Sequence, residues 1–284
     1  MSDALTIAGH ALREAVRRRV LLVVALLTAV FLALYALAAF EAFDSLDRNA
    51  RGIVPIDEHA LAGGTLLGLA MFVALFLGVV LAVFLTLGAV RGEAESGLLQ
   101  PLVVRPVGRT TLLIGRLLAA SAVCSAYVIA VFLLAVAITH AAGDFTPGSY
   151  VVPAAGLALG VITVVAVSLL GSTLLGTTAN GIAIFMVFAT GLAGGLLGQI
   201  GDGLKVDALT TASSIMSWIV PFEALYQNGL HALTSDIDGA TGVIVQLGPF
   251  GGADDVSAGI WVWAVAWSAV VMALAALKFR RSDL

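Results

Sequence analysis

The chain alternates between long apolar runs and short polar stretches, and this pattern predicts its secondary structure. Six runs reach the length of about twenty residues that a helix needs to cross the roughly 30 Å hydrocarbon layer of a bilayer. Their predicted ranges are 20–40, 66–90, 111–138, 151–175, 181–200 and 256–277. Thr177 to Gly181 separates the fourth run from the fifth, because its Asn-Gly pair is typical of a turn. We therefore predict six transmembrane helices.

The polar stretches predict further, shorter elements. Residues 1–19 place Leu5, Leu12 and Val16 on one stripe beside four arginines, which favours a basic amphipathic helix on the membrane surface. A plain basic flank that only sets topology is the alternative. Residues 201–255 predict two short amphipathic helices divided at Pro221, which form a cap that dips toward the lipid, followed by a loop rich in Gly and Asp.

The composition fits this pattern and narrows the class of protein. Of 284 residues, 60% are hydrophobic and 11% are charged, and the mean hydropathy is +1.07. A soluble domain of this length cannot bury so much apolar surface, so a soluble enzyme, a nucleic-acid-binding protein and a disordered chain are excluded. The single cysteine, Cys124, excludes an internal disulfide and is expected to be a small buried apolar residue.

The basic residues predict the orientation of the spans. With the N-terminus in the cytoplasm, eleven of the fourteen Lys and Arg residues lie inside, and Arg48, Arg51 and Lys205 lie outside. This asymmetry follows the positive-inside rule and places both termini in the cytoplasm. The outer segments then hold the acidic residues Glu41, Asp44, Asp47, Asp57, Glu58, Asp144, Asp202, Asp207, Glu223, Asp236, Asp238, Asp254 and Asp255.

The spans carry little catalytic chemistry. No Asp, Glu, Lys, His or Arg falls in the middle of a predicted span, which counts against an ion-coupled carrier or an intramembrane hydrolase. Lys205 and Lys278 are the only lysines, and neither completes a phosphate-binding loop. If the chain works in active transport, a partner therefore supplies the energy. The glycines of the fifth span (Gly191, Gly194, Gly195 and Gly198) predict either a packing face or a flexible gate.

The stretch after the second span is the most informative part of the sequence. Residues 91–110 combine charges with apolar side chains, since Leu98, Leu99 and Leu102 share one face of a short predicted helix that Pro101 and Pro106 limit. A short helix of this kind suits docking to another protein, and the alternative is a solvated loop. The residues that carry the pattern are Arg91, Glu93, Glu95, Gly97, Leu98, Leu99, Pro101, Leu102, Arg105, Pro106 and Arg109.

With this stretch, the order of elements resembles the ABC-2 type permeases, the membrane subunits of type V ABC transporters. The run from Trp218 to Leu225 before the last span also resembles such permeases. The resemblance implies an all-α fold with an N-terminal interfacial helix, six spans, a cytoplasmic coupling helix and an outer helical cap. It covers residues 1–284 as a single transmembrane domain, divided into 1–19, 20–90, 91–110, 111–200, 201–255 and 256–284.

The resemblance also implies partners and roles. A second permease, identical or different, and two copies of an ATP-binding subunit are expected, with ATP and Mg²⁺ held by that subunit and no cofactor in this chain. Glu93, Glu95, Leu98 and Leu102 would contact the ATPase, with Gly97, Pro101 and Pro106 shaping the segment and Arg105 and Arg109 flanking it. Spans two and five would line the substrate path at the permease interface. The family implies export across a bacterial cytoplasmic membrane; an ATP-independent carrier or channel and a membrane scaffold or sensor remain alternatives.

Overall fold

A computed structural model describes residues 19–49, 57–87, 109–235, 237 and 259–281. Every regular element in these ranges is an α-helix, in agreement with the predicted fold class. The predicted surface helix before Arg19 and the predicted loop from about 240 to 255 lie outside the described residues. The helices are α1 (Arg19–Asn49), α2 (Glu58–Thr86), α3 (Arg109–Gly143), α4 (Val151–Leu174), α5 (Thr177–Leu204), α6 (Asp207–Ile219), α7 (Phe222–Thr234) and α8 (Gly259–Arg281).

The six predicted spans are confirmed as α1, α2, α3, α4, α5 and α8, each long and apolar enough to cross a membrane. Several helices continue past the apolar runs. α1 extends to Asn49 because its polar end pairs its own charges: the Arg48 guanidinium lies 2.7 Å from the Asp44 carboxylate and 3.1 Å from Glu41. α2 begins eight residues before the predicted position, where Asp57 caps it by accepting a 3.0 Å hydrogen bond from the Ala60 amide.

The predicted break between the fourth and fifth spans is wrong by a few residues. Leu175 and Gly176 adopt extended backbone, and α5 already begins at Thr177. The Asn180 amide donates a helical hydrogen bond to the Gly176 carbonyl, so the Asn-Gly pair lies within the first turns of α5. Its side chain bonds across to α4 and does not compete for its own backbone, which is how Asn normally favours a turn.

The bundle has two ends, which we name by residues. At the Leu87 end α2 and α4 finish and α3 and α5 begin; at the Lys205 end α5 finishes and α6 starts. α2 packs against α1, α3 and α4 and is the most buried span, whereas most of α1 is exposed along Leu22, Leu26, Val30 and Leu37. In a bilayer such exposed apolar faces are solvated by lipid.

α6 and α7 form a helical hairpin that turns back into the bundle. The predicted division at Pro221 is confirmed. α6 runs antiparallel to α5, with Met216 against Gly194 and Thr210 against Gly201, and α7 returns along α4, with Phe222 against Gly160. Of the two alternatives for the glycines of the fifth span, the structure shows the packing face.

Candidate functional site

Eight of the nine residues predicted to couple the chain to an ATPase lie outside the described residues. They are Glu93, Glu95, Gly97, Leu98, Pro101, Leu102, Arg105 and Pro106. Arg109, the ninth, is the first residue of α3, and its side chain is not described. The structure therefore describes the two helices that hold this segment, α2 on one side and α3 on the other.

A buried polar cluster lies at the Leu87 end, in the last turn of α2. The hydroxyls of Thr86 and Ser168 are 2.6 Å apart and join α2 to α4. The Asn180 side-chain amide donates a 3.1 Å hydrogen bond to the Ser168 carbonyl and so joins α5 to α4. All three side chains are 0–1% exposed. The cluster of Thr86, Ser168 and Asn180 thus ties three spans together, and Thr86 lies two residues before the undescribed segment begins.

Close packing around this cluster leaves little room for adjustment. A Cβ on Gly171 of α4 would overlap the Asn180 side-chain oxygen, and one on Gly181 would lie 3.2 Å from a methyl carbon of Leu87. The Asn180 oxygen has no hydrogen-bond partner among the described residues. Interfaces packed this tightly transmit displacement, because they cannot deform gradually. The cluster therefore connects the end of α2 to α4 and α5 through hydrogen bonds.

The tip of the hairpin reaches the middle of the bundle. The Phe222 ring lies against Gly191, halfway along α5, and stacks on Phe188 with ring centroids 5.1 Å apart. Because a helix rises about 1.5 Å per residue, Gly195 lies roughly 13 Å inside the end of α5 at Leu204. α7 is buried along almost its whole length. The predicted helical cap is therefore present, but it reaches into the bundle instead of dipping toward the lipid.

The hairpin brings an ionisable group to this depth. Glu223 is 2% exposed, and its carboxylate lies where a Cβ on Gly195 of α5 would sit. Gln227 donates a 3.2 Å hydrogen bond to one carboxylate oxygen, and the other oxygen has no partner among the described residues. Burial raises the pKa of this carboxyl above its ordinary value, and the hydrogen bond from Gln227 opposes the shift. Buried ionisable groups at membrane depth are costly and often mark functional sites.

Sequence reasoning placed Glu223 in an outer segment and missed its burial. The described parts of the spans carry no Asp, Glu, Lys, Arg or His in their middle, whereas the hairpin places the Glu223 carboxyl group beside Gly195 of α5. The sequence of α7 carried no signal of this depth, because Glu223, Gln227 and His231 recur every four residues and form the polar face of an amphipathic helix. The structure buries Glu223 and Gln227 of this face together with the apolar residues Phe222, Ala224, Leu225, Tyr226, Leu230 and Leu233.

Two tryptophans anchor the hairpin to the last span. The Trp263 indole N–H of α8 donates a 2.9 Å hydrogen bond to the Trp218 carbonyl, and the two rings meet edge to face at 5.4 Å. Trp261 donates to the Asn228 side chain at 3.3 Å. The first bond satisfies a carbonyl in the last turn of α6, and the second satisfies a side chain in the middle of α7. A re-entrant segment needs such partners because lipid supplies no donors or acceptors.

α2 and α5 share an exposed apolar surface. α2 is mostly buried, but Leu69, Phe76 and Phe84 recur along it at 38–41% exposure. The Phe76 ring lies 6.1 Å from the Phe188 ring of α5, and Met186 on the same helix is 65% exposed. The large aromatic side chains on an otherwise buried helix set this surface apart from the aliphatic face of α1.

Comparison with known proteins defines the family. A family model described as ABC-2 family transporter protein matches residues 5–284. The match includes the undescribed segment after α2 as well as the hairpin and all six spans. No curated protein sequence matches the chain. Since the family model covers nearly the whole sequence, the chain belongs to the ABC-2 family of transporter proteins.

Proposed function

We propose that this chain is the permease subunit of an ATP-driven exporter, which pairs with a second permease and with two copies of a separate ATP-binding subunit. Membership of the ABC-2 transporter family over residues 5–284 carries the proposal. Members of this family are membrane components of ABC transporters, so an associated ATP-binding subunit is the expected energy source for this chain. ATP and Mg²⁺ belong on that subunit, and this chain contributes no ATPase site.

The segment between α2 and α3 is the proposed contact with the ATPase. In this proposal Glu93, Glu95, Leu98 and Leu102 dock into the partner and Arg105 and Arg109 flank the contact. The Thr86–Ser168–Asn180 cluster supports this role, because a force applied just after Leu87 would pass through two hydrogen bonds to α4 and α5. The hydrogen bonds link spans that would otherwise move separately.

The shared surface of α2 and α5 is the proposed permease interface and substrate path. Its support is the exposure of four apolar side chains, Leu69, Phe76 and Phe84 on α2 and Met186 on α5. In this arrangement the Leu87 end and both termini face the cytoplasm, which places the Arg-rich flanks inside. The hairpin then enters from the outer side of a bacterial cytoplasmic membrane.

The test is purification of the tagged chain from its own host with identification of what accompanies it. We expect an ATP-binding subunit in equal amount, and ATPase activity that substrate stimulates in liposomes. Glu95→Arg should uncouple ATP hydrolysis from transport, because a reversed charge opposes docking. Glu95→Asp should retain coupling, because it keeps the negative charge on a shorter side chain. Glu58→Arg, at the Lys205 end, is the control for general damage. Recovery of the chain without any nucleotide-binding partner would overturn the proposal.

An ATP-independent carrier is the second candidate, and the buried Glu223 favours it. Ion-coupled carriers use intramembrane carboxylates as proton or cation sites, and the hairpin supplies one in a chain whose spans lack them. The two functions separate in one experiment. Transport that continues with a hydrolysis-deficient ATP-binding subunit and stops in Glu223→Gln would identify the carrier; the opposite pattern supports the exporter.

A further inference from the structure

A polar cavity of about 290 Å³ lies between α5 and the hairpin at the Lys205 end. Its volume is near the lower limit of small-molecule sites. It is separate from the proposed ATPase contact, which is at the other end of the bundle, and from the α2–α5 surface. The residues that line it are Gly198, Asp202, Thr210, Ser213, Ser214, Ser217, Trp218, Ala224, Gln227 and Ile260.

Two of the four described hydroxyl groups that line this cavity present lone pairs, because their protons are engaged within α6. Thr210 donates its only hydroxyl proton to the Asp207 carbonyl at 3.0 Å, and Ser217 donates to the Ser213 carbonyl at 3.0 Å. A hydroxyl that donates inward keeps two acceptor lone pairs for a ligand. Thr210 and Ser217 therefore act as acceptors toward a ligand in the cavity.

The one charged side chain that lines the cavity in the described part of the chain is negative. The exposed Asp202 supplies a carboxylate, and none of the described residues that line the cavity is basic. Gln227 also lines the cavity and donates to the buried Glu223 carboxyl group, whose raised pKa favours its neutral form, so the negative charge beside the cavity comes from Asp202. The cavity also borders the C-terminal part of α5, and the C-terminal end of a helix dipole favours cations.

An aromatic ring completes the wall. Trp218 lines the cavity, and its position is fixed by the edge-to-face contact with Trp263. Tryptophan is the side chain whose ring face attracts cations most strongly. Acceptor oxygens, a carboxylate and an indole together match the chemistry of an ammonium group, which is cationic and donates hydrogen bonds.

We propose that this hairpin cavity binds the ammonium group of a small amine or of an amine-bearing lipid headgroup. The inference concerns binding and does not depend on the proposed transport function. An anion is disfavoured, since the wall holds the Asp202 carboxylate and no basic side chain among its described residues.

The test uses the full-length chain in phosphatidylglycerol nanodiscs, which contain no ammonium groups. Saturation-transfer NMR with ethanolamine as the probe should show saturable binding above empty nanodiscs, and ethylene glycol should not compete. Asp202→Asn and Trp218→Leu should each weaken binding by about threefold to tenfold. Asp207→Asn removes the same charge from an exposed residue that does not line the cavity, and it should bind as the unmodified chain does.

A second arm identifies the source of the ammonium group. In nanodiscs that mix phosphatidylethanolamine with phosphatidylglycerol, native mass spectrometry should detect retained phosphatidylethanolamine if the lipid headgroup occupies the cavity, and Asp202→Asn should reduce it. Binding of ethanolamine alone assigns the site to a small amine. Absence of both signals, equal competition by ethylene glycol, or an equal loss in Asp207→Asn and Asp202→Asn would overturn the inference.

Discussion

Two glycines on α4 offer a sharp test of how the hairpin is seated. Gly156 and Gly160 lie one turn apart on the same helix and face the same partner, α7. A Cβ on Gly156 would lie 2.8 Å from the Leu225 backbone carbonyl oxygen, whereas a Cβ on Gly160 would find its nearest atom, on Phe222, at 3.6 Å. Ordinary contacts begin near 3.4 Å, so Gly156→Ala must move backbone by about 0.6 Å and Gly160→Ala need move nothing.

The magnitude follows by subtraction. Both alanines gain about 1 kcal/mol of helix propensity over glycine, so this term cancels in the difference between the two variants. Overpacking against a rigid neighbour costs about 1–3 kcal/mol. We therefore expect Gly156→Ala to be less stable than Gly160→Ala by about 1–3 kcal/mol, or about 2–8 °C in Tm. Gly160→Ala itself should equal or exceed the unmodified chain.

The assay is thermal unfolding of both variants in the same detergent, followed by hydrogen exchange of the α7 amides. Exchange in α7 should accelerate in Gly156→Ala only, because the clash is with the carbonyl of Leu225 in that helix. Equal Tm values, or faster exchange in a distant helix such as α1 instead, would refute this account of the packing of α7 on α4.

Three further predictions concern the polar cluster, the buried acid and the α2–α5 surface. Thr86→Val and Ser168→Ala should each destabilise the chain, and a double-mutant cycle in thermal unfolding should give a coupling of about 1 kcal/mol; additive effects would exclude the bond between them. The raised pKa of Glu223 means that the folded state binds its proton more tightly than the unfolded state, so this group's contribution is complete at low pH and is lost as pH rises. Glu223→Gln should therefore flatten the fall of Tm with rising pH, and an unchanged slope would contradict that. Finally, Phe76→Cys should form a disulfide between permease copies in membranes, while Val265→Cys on α8 should not. The reverse result would place the permease interface at α8 and not at the α2–α5 surface.

The spans were predictable from sequence because length and hydropathy decide them. Any run of about twenty apolar residues satisfies its backbone as a helix in lipid, and the six runs do so at nearly the expected places. The ends were harder to predict. α1 continues to Asn49 through the ion pairs of Arg48, and α5 begins before Asn180 because that side chain finds a partner on α4. Such partners depend on the tertiary structure and do not show in a hydropathy pattern.

The depth of the hairpin was not predictable from its own sequence. Two short helices around Pro221 are equally compatible with a surface cap and with a re-entrant hairpin. What decides is space, and the space comes from glycines on neighbouring helices: Gly156 on α4, and Gly191, Gly194, Gly195 and Gly198 on α5. The burial of Glu223 follows from that placement. The proposed coupling residues are the reverse case. A sequence pattern identifies them, but Glu93 to Pro106 lie outside the described residues.

The short link between α4 and α5 has a consequence for how the protein is made. Only Leu175 and Gly176 separate the two helices, and the sequence contains no Lys or Arg between Arg116 and Lys205. Neither helix therefore carries a basic flank on this link to fix its direction during insertion. With a two-residue turn and no such signal, we expect α4 and α5 to enter the bilayer as one hairpin whose direction is set by α3. An arginine inserted after Gly176 would give the ribosome-bound chain a signal that it now lacks.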